Sequence, residues 1–466
     1  MEPTATEARV YSSPVVASGL RANLLSPTET IAQSISTIAP VTTPALTIPL
    51  VFALAGNGTW LAYLFAISAV LLIALCIAHF ARHTSGPGSL YAYATSSLPP
   101  LAAGVAGWAL LLAYIATGAS VAGGFINYAN VLLVQFTGHT ANTALLAAIC
   151  VLASTCIAYR DVQVSARLML WIEAASVFAI GVVLILLMRR NGFHLDPAQR
   201  HLEHVTPSGV RLGIVLALFS FVGFESATSL GDEAQNPLRT IPRAVVQSAL
   251  FAGLFFILCA YLEIFGMAQA HQDLGTSSAP FHALASLSGV GPFGVLIDLG
   301  ALVSMFACTL GCITAAARVL LRMAQDGIAH SSLGTTHRKN ATPHLAVVAV
   351  GLFMLVLVTV LAARGVSGLD IYGWLGSLAV YGFLTTYGLA CIGLPFFLLR
   401  VQTLGAGTLA LSIAAVLAIL LALAGTLYPV PNSPYNWLPY FYLTYLLLGV
   451  AWQVISTRKQ ATDQGR

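Results

Sequence analysis

Apolar residues run along this chain in stretches of about twenty, separated by short clusters of Gly, Pro and polar residues. A helix that crosses a bilayer needs roughly 20 mostly apolar residues. Twelve such runs are legible: 28–54, 60–80, 99–133, 141–159, 166–188, 209–231, 243–267, 292–323, 344–363, 370–399, 405–427 and 437–456. The third, eighth and tenth are long enough to tilt. The connections are short and leave no room for a second folded domain. The segment APFHALASLSG, 279–289, predicts a short interfacial helix ahead of the eighth run. The expectation is an all-α integral membrane protein with twelve transmembrane helices and tails at 1–25 and 457–466.

Two of these runs are interrupted by residues that suit a helix poorly. The first holds IAPVTTP, Ile38 to Pro44, and the sixth holds FVGFESATS, Phe221 to Ser229. In hydrocarbon an unpaired backbone N–H or C=O costs several kcal/mol, so irregular backbone survives only beside protein or water. A lone Pro in a membrane helix is more often a packed kink than a site. Two breaks five runs apart are different. Five is odd, so the second group of five enters from the opposite side, the pattern of an inverted repeat with a discontinuous helix opening each half. Residues 28–190 would be the first repeat, 209–400 the second and 405–456 two additional helices, all within a 26–456 transporter domain.

The chemistry of the first break suits a zwitterion. Thr43 before Pro44 reads as an N-cap with Pro at the first helical position. A half-helix starting there would offer free N–H groups and a partial positive charge to a carboxylate. Carbonyls freed near Ile38 and Val222 would face an ammonium group. The expected substrate-binding residues are Ile38, Ala39, Val41, Thr42, Thr43, Phe219, Val222, Gly223, Phe224, Glu225 and Ser226. Glu225 is the mid-span acid. A charge there costs about 2.5–3.5 kcal/mol on insertion scales, so it faces a polar interior or carries a proton. Glu173, Glu263 and Asp298 lie nearer the ends of their runs.

Composition confirms lipid as the main solvent: 58% of the 466 residues are hydrophobic and 8% charged, against roughly 25% charged in soluble domains. The first 25 or so residues lack a basic–apolar–small pattern, which predicts no cleavable signal. With the N-terminus inside, fifteen Lys and Arg fall on the cytoplasmic side: Arg9, Arg21, Arg82, Arg160, Arg167, Arg239, Arg243, Arg318, Arg322, Arg338, Lys339, Arg400, Arg458, Lys459 and Arg466. Five fall outside: Arg189, Arg190, Arg200, Arg211 and Arg364. The asymmetry places both termini in the cytoplasm of a multi-pass cell-membrane protein. The seven Cys lie in or beside apolar runs and read as packing residues, not as a disulfide framework.

FVGFESATSLGDEAQNPLRTIPRAV (221–245), SGPGSLYAYATSSLPPLAAGVAGWALLLAY (85–114) and RMAQDGIAHSSLGTTHRKNATPHLAVV (322–348) resemble the amino acid–polyamine–organocation (APC) permease superfamily, of the bacterial amino acid permease type. The resemblance spans the whole chain. It implies a leucine-transporter-like 5+5 fold with alternating access, and so residence in a bacterial inner membrane. It also implies that Phe219 is a gate closing over substrate and that Glu225 is a proton-coupling residue; the residues themselves leave open that Glu225 is a structural brace bonded to unwound backbone and that Phe219 and Phe224 only pack. A fifth-span lysine found in some members falls at about Ser176 and is absent. The Gly-x-Gly common in the first break is replaced by Ala39-Pro40-Val41-Thr42.

The functional expectation is a secondary active transporter for amino acids or related amines, coupled to H+ or working by exchange. Its alternatives are a potassium or cation transporter on the same fold and a membrane amino-acid sensor that moves nothing. Histidines lack metal-ligand spacing, and P-loop, nucleotide and nucleophile motifs are absent, so no cofactor, metal, nucleic acid or enzymatic chemistry is expected. With no Lys or Arg at mid-span, acidic substrates are disfavoured. Trp108 and Tyr114 read as packing. The partners expected are the small-molecule substrate, the coupling ion and the lipid bilayer; the sequence says nothing of oligomeric state.

Overall fold

The computed structural model describes residues 20, 24–86, 88–160, 163–190, 192, 194–337, 340, 342–428, 430 and 433–464. Most of the expected tail 1–25 lies outside them, as do Arg9, Arg21, Arg338, Lys339 and Arg466. The described chain is almost wholly helical: α1 Pro27–Ile38, α2 Ile48–Ala55, α3 Thr59–Ala81, α4 Leu90–Ser97, α5 Pro100–Thr137, α6 Thr143–Arg160, α7 Gln163–Arg190 and α8 Pro197–Arg200. Then follow α9 Pro207–Phe219, α10 Pro237–Gln269, α11 Pro280–Leu287, α12 Gly291–Gln325, α13 His344–Ala363, α14 Gly368–Arg400, α15 Ala406–Leu427 and α16 Leu438–Gln464. Among the described residues nine stretches are long and apolar enough to cross a membrane, with Pro27–Ala81 counted as one. The interfacial helix appears as α11; α4 and α8 were not expected.

The face where α1 begins is called here the N-terminal face, and the other the distal face. At the N-terminal face Leu25 pairs with the chain after the sixth run: its N–H donates to the Glu233 carbonyl and its carbonyl accepts from Gln235, both at 2.8 Å. At the distal face Asn57, just past α2, donates its side-chain amide to the Glu203 carbonyl ahead of α9. The two broken segments therefore lie side by side and antiparallel.

In lipid, helices associate through close packing and not through exclusion of water, so interfaces favour small residues. α5 and α14 illustrate this. A Cβ at Gly382 would stand 2.5 Å from the Ala109 carbonyl, and one at Gly123 would stand 2.7 Å from the Gly368 carbonyl. Trp108, as expected, is a packing residue, its ring lying against Gly449 and 6.3 Å from Tyr445 on α16. Ser176 of α7 fits against Gly300 of α12. The outward surfaces of α13, α15 and α16 carry exposed Phe353, Leu421 and Leu447, as a lipid-facing wall requires.

Gly382→Leu is expected to force α5 and α14 apart and to cost about 1–3 kcal/mol. Its apparent melting temperature in detergent should fall clearly below wild type. Gly407→Ala, where an added Cβ meets nothing within 4 Å, is the matched control and should leave melting unchanged.

Candidate functional site

The first break is built by three prolines. Pro40 cannot donate to Ser36, Pro44 cannot donate to Pro40, and Pro49 cannot donate to Ala45, so three carbonyls lose their helical partners. α1 stops at Ile38, and Ala39 turns left-handed at φ 52°, its N–H reaching back to the Ile35 carbonyl. Thr42 N–H folds onto Ala39, and Ala45 N–H onto Val41. The chain re-enters a helix through one π turn, Thr43–Thr47, whose wider ring lets Ile48 N–H reach the Thr43 carbonyl. The Tyr128 hydroxyl of α5 takes the place of the donor that Pro49 lacks, bonding the Ala45 carbonyl at 3.2 Å.

The expected N-cap differs. Thr42, not Thr43, precedes the turn; its backbone is already helical and its hydroxyl caps nothing. That hydroxyl is buried without a partner among the described residues. Pro44 sets the start of the segment, but with Pro44 and Pro49 together the first turn widens to a π turn in place of a capped α-helix. Among the described residues, the donors left open at this break are the N–H groups of Val41 and Thr43.

The sixth segment breaks further than expected. α9 ends at Phe219, and residues 220–225 run through successive turns. A 3-10 helix, Ser226–Leu230, then follows in place of the helix expected to 231. Ser and Thr offer the backbone local hydrogen bonds that compete with an α-helix. Ser229, for example, donates to the Ser226 carbonyl at 2.7 Å. Gly223 is the pivot. Its φ is 98°, and a Cβ there would collide with the Thr37 side chain, 2.7 Å from Thr37 Cβ. The two breaks touch at this point.

Side chains from α1 stitch the breaks together. Ser34 Oγ donates to the Phe224 carbonyl at 2.8 Å and accepts from Ala227 N–H at 3.1 Å. Ser226 Oγ donates toward the Gln33 carbonyl at 3.2 Å and Thr37 Oγ1 at 3.0 Å. Ser248 of α10 also reaches the Phe224 carbonyl, and the Cys308 thiol of α12 reaches the Thr37 carbonyl. Several carbonyls expected to face a ligand are thus occupied by the protein. Those of Ile38 and Val222 accept no hydrogen bond among the described residues.

Glu225 lies just toward the N-terminal face of this contact and is fully buried. Its two carboxyl oxygens accept from two phenols, Tyr114 of α5 at 2.8 Å and Tyr387 of α14 at 2.6 Å. Tyr114 is therefore more than packing, and Tyr387 was not anticipated; neither carries a sequence signal that separates it from other buried aromatics. Further toward the N-terminal face, Arg318 of α12 grips Glu233 with two hydrogen bonds of 2.7 and 2.8 Å, both side chains buried.

On the distal side, the Phe219 ring lies edge-on to Tyr372 at 5.6 Å and covers Gly376 of α14. Tyr372 in turn bonds Thr47 of the π turn at 2.6 Å. All eleven expected site residues are buried. A small apolar cavity of ≈ 10 Å³ lies beside the sixth segment, lined by Val70, Phe221, Val222 and Phe383 among others, with no residue of α1 in its wall.

An amino acid permease family profile matches residues 30–463, nearly the whole chain. The chain belongs to the amino acid permease family. It is 26% identical over 310 residues to the branched-chain amino acid permease BcaP of Bacillus subtilis (strain 168), a match covering 63% of this chain and 65% of that protein. It is 29% identical over 360 residues to cationic amino acid transporter 4 of Homo sapiens, covering 71% of this chain and 54% of that protein. The methylthioribose transporter of Bacillus subtilis (strain 168) is 24% identical over 346 residues, with 72% of each chain covered. Among the described residues no group of three or more His, Cys, Asp and Glu could hold a metal ion.

Gly223→Ala is expected to cost about 1–3 kcal/mol through its strained backbone alone, with the Thr37 clash added. Thr37→Ser removes one of the crowding atoms but not the backbone strain. The double variant should therefore recover only part of the lost melting temperature, which a thermal-shift series on the purified protein will read.

Proposed function

We propose that this permease is a secondary active transporter that moves amino acids or related amines by alternating access. The observation that carries this reading is the contact at Thr37 and Gly223 between two broken, antiparallel helices. There, backbone donors at Val41 and Thr43 and acceptors at Ile38 and Val222 are buried and open. A substrate α-carboxylate would take the two N–H groups and the Thr42 hydroxyl; an α-ammonium would take the two carbonyls. Ile38, Ala39, Val41, Thr42, Thr43, Phe219, Val222, Gly223, Phe224, Glu225 and Ser226 form or back this site. The Phe219–Tyr372–Thr47 layer serves as the distal gate. The Glu225 layer and the Glu233–Arg318 pair close the N-terminal face.

The twelve runs are read as twelve crossings, with α1 and α2 sharing one crossing and α9 and the 3-10 helix another. The basic asymmetry puts the N-terminal face in the cytoplasm. Residues 28–190 and 209–400 are then the inverted repeats. Side-chain specificity follows from the surroundings: hydroxyls, aromatics and one carboxyl flank the breaks, which suits neutral or cationic side chains. This agrees with relatives whose names specify branched-chain and cationic amino acids.

Counterflow in proteoliposomes with labelled L-leucine, L-arginine and L-glutamate tests the reading. Leucine or arginine should accumulate against unlabelled substrate, and glutamate should not. Replacing Pro40-Val41-Thr42-Thr43 with Leu-Leu-Ala-Ala favours continuous helix and should abolish counterflow while insertion is kept. A folded quadruple variant with unchanged affinity would reduce the break to a kink.

Glu225 is the coupling residue for the cytoplasmic side in this reading. Acidification of that side protonates the carboxyl and changes its bonds to Tyr114 and Tyr387, so wild-type exchange should depend on cytoplasmic-side pH. Glu225→Gln should flatten that dependence. Normal activity with an unaltered profile would leave Glu225 as a brace only.

A further inference from the structure

Three helices carry polar groups near the distal face that the substrate site does not use. Glu263 lies six residues from the distal end of α10, about 9 Å in, and Asp298 seven residues from the distal end of α12, about 10 Å in. Both are 0% exposed. Among the described residues, neither oxygen of Glu263 has a hydrogen-bond partner, and Asp298 Oδ1 has none. Asp298 Oδ2 stands 2.9 Å from Nδ1 of His282 on α11. The His282 side chain is 34% exposed, so the pair joins the surface at the distal end to a buried acid.

An ionised Asp298 or Glu263 would act electrostatically on the buried Tyr128 hydroxyl, and an ionised Glu263 on Tyr63. Tyr128 holds the Ala45 carbonyl in the first break. Tyr63 of α3 shares a 2.9 Å hydrogen bond with Ser220, where the sixth break begins. The remaining titratable neighbour is Cys259, one turn from Glu263 on α10; the π turn supplies none. On α7, Glu173 bears on Cys308, deeper along α12. Among the described residues no hydrogen bond or ion pair joins Glu263 to a cation. An ionised carboxylate there would have neither donor nor counter-charge, which an apolar interior does not tolerate. The group must hold a proton or gain a partner as the helices move.

We propose that Glu263 and the Asp298–His282 pair bind protons near the distal face, the pair being fed from that face, separately from Glu225 and coupled to the two breaks through Tyr128 and Tyr63. Entry is a simple transfer: His282 takes a proton from water at Nε2 and gives the Nδ1 proton to Asp298. The imidazole returns to neutral and the carboxylate becomes a carboxylic acid. The coupling half of this inference rests on the transport reading; the proton-binding half does not.

Infrared spectra of the purified protein, recorded at neutral and at acid pH, test binding with no substrate present. Glu263→Gln and Asp298→Asn should each remove a protonated-carboxyl band that Glu225→Gln retains. In proteoliposomes, labelled L-leucine or L-arginine exchange should lose its dependence on distal-side pH in both variants and in His282→Gln, while dependence on the other side persists. Should a buried variant fail to fold, half-exposed His282→Gln keeps the test open. Folded variants with wild-type bands and wild-type distal-side pH profiles overturn the proposal. So does a sodium-dependent rise in melting temperature that Glu263→Gln abolishes, which would make the site a cation site.

Discussion

Everything else in this permease depends on the contact of Thr37 with Gly223. Two helices are broken inside an apolar medium that tolerates no orphaned backbone. They survive because each break supplies partners for the other. The Ser34 and Ser226 hydroxyls do most of this across the contact, and Ser248 and Cys308 complete it from the flanking helices. Only a residue without a Cβ lets the segments approach closely enough for those short side chains to reach.

This economy decides what remains for a ligand. The Gln33, Thr37, Ala45 and Phe224 carbonyls are satisfied internally, which leaves those of Ile38 and Val222, the residues flanking the contact, among the open ones. Above them an aromatic layer, Phe219 and Tyr372, is tied to the π turn. Below them one carboxyl ties α5 to α14 through two phenols. A movement of either break must therefore disturb one of these layers. The two breaks and the layers on either side of them are one connected set of contacts.

The buried ion pair Glu233–Arg318 has a similar logic. Taking two charges out of water is costly, and two parallel hydrogen bonds offset much of that cost only while both partners stay in place. Because Leu25 pairs with the backbone around Glu233, the start of α1, the end of the sixth segment and α12 are held as one unit.

The sequence by itself determined the all-helical membrane class, most helix limits to within a few residues and the position of both breaks. Runs of about twenty apolar residues, proline's missing N–H and glycine's freedom are local properties that need no coordinates. His344–Ala363 was legible to the residue. Family membership was legible too, in the run from Phe221 to Val245. What only the tertiary structure decided was the use of each polar group. The cap assigned to Thr43 gave way to a π turn because Pro49, four residues past Ala45, removed a donor that Tyr128 of another helix replaces. The sixth segment stayed unwound to Leu230 because its hydroxyls found partners near at hand. Tyr387 reached Glu225 from 162 positions away. Such pairings follow from helix packing, and no local pattern encodes which of many buried tyrosines will meet the buried acid of the sixth segment.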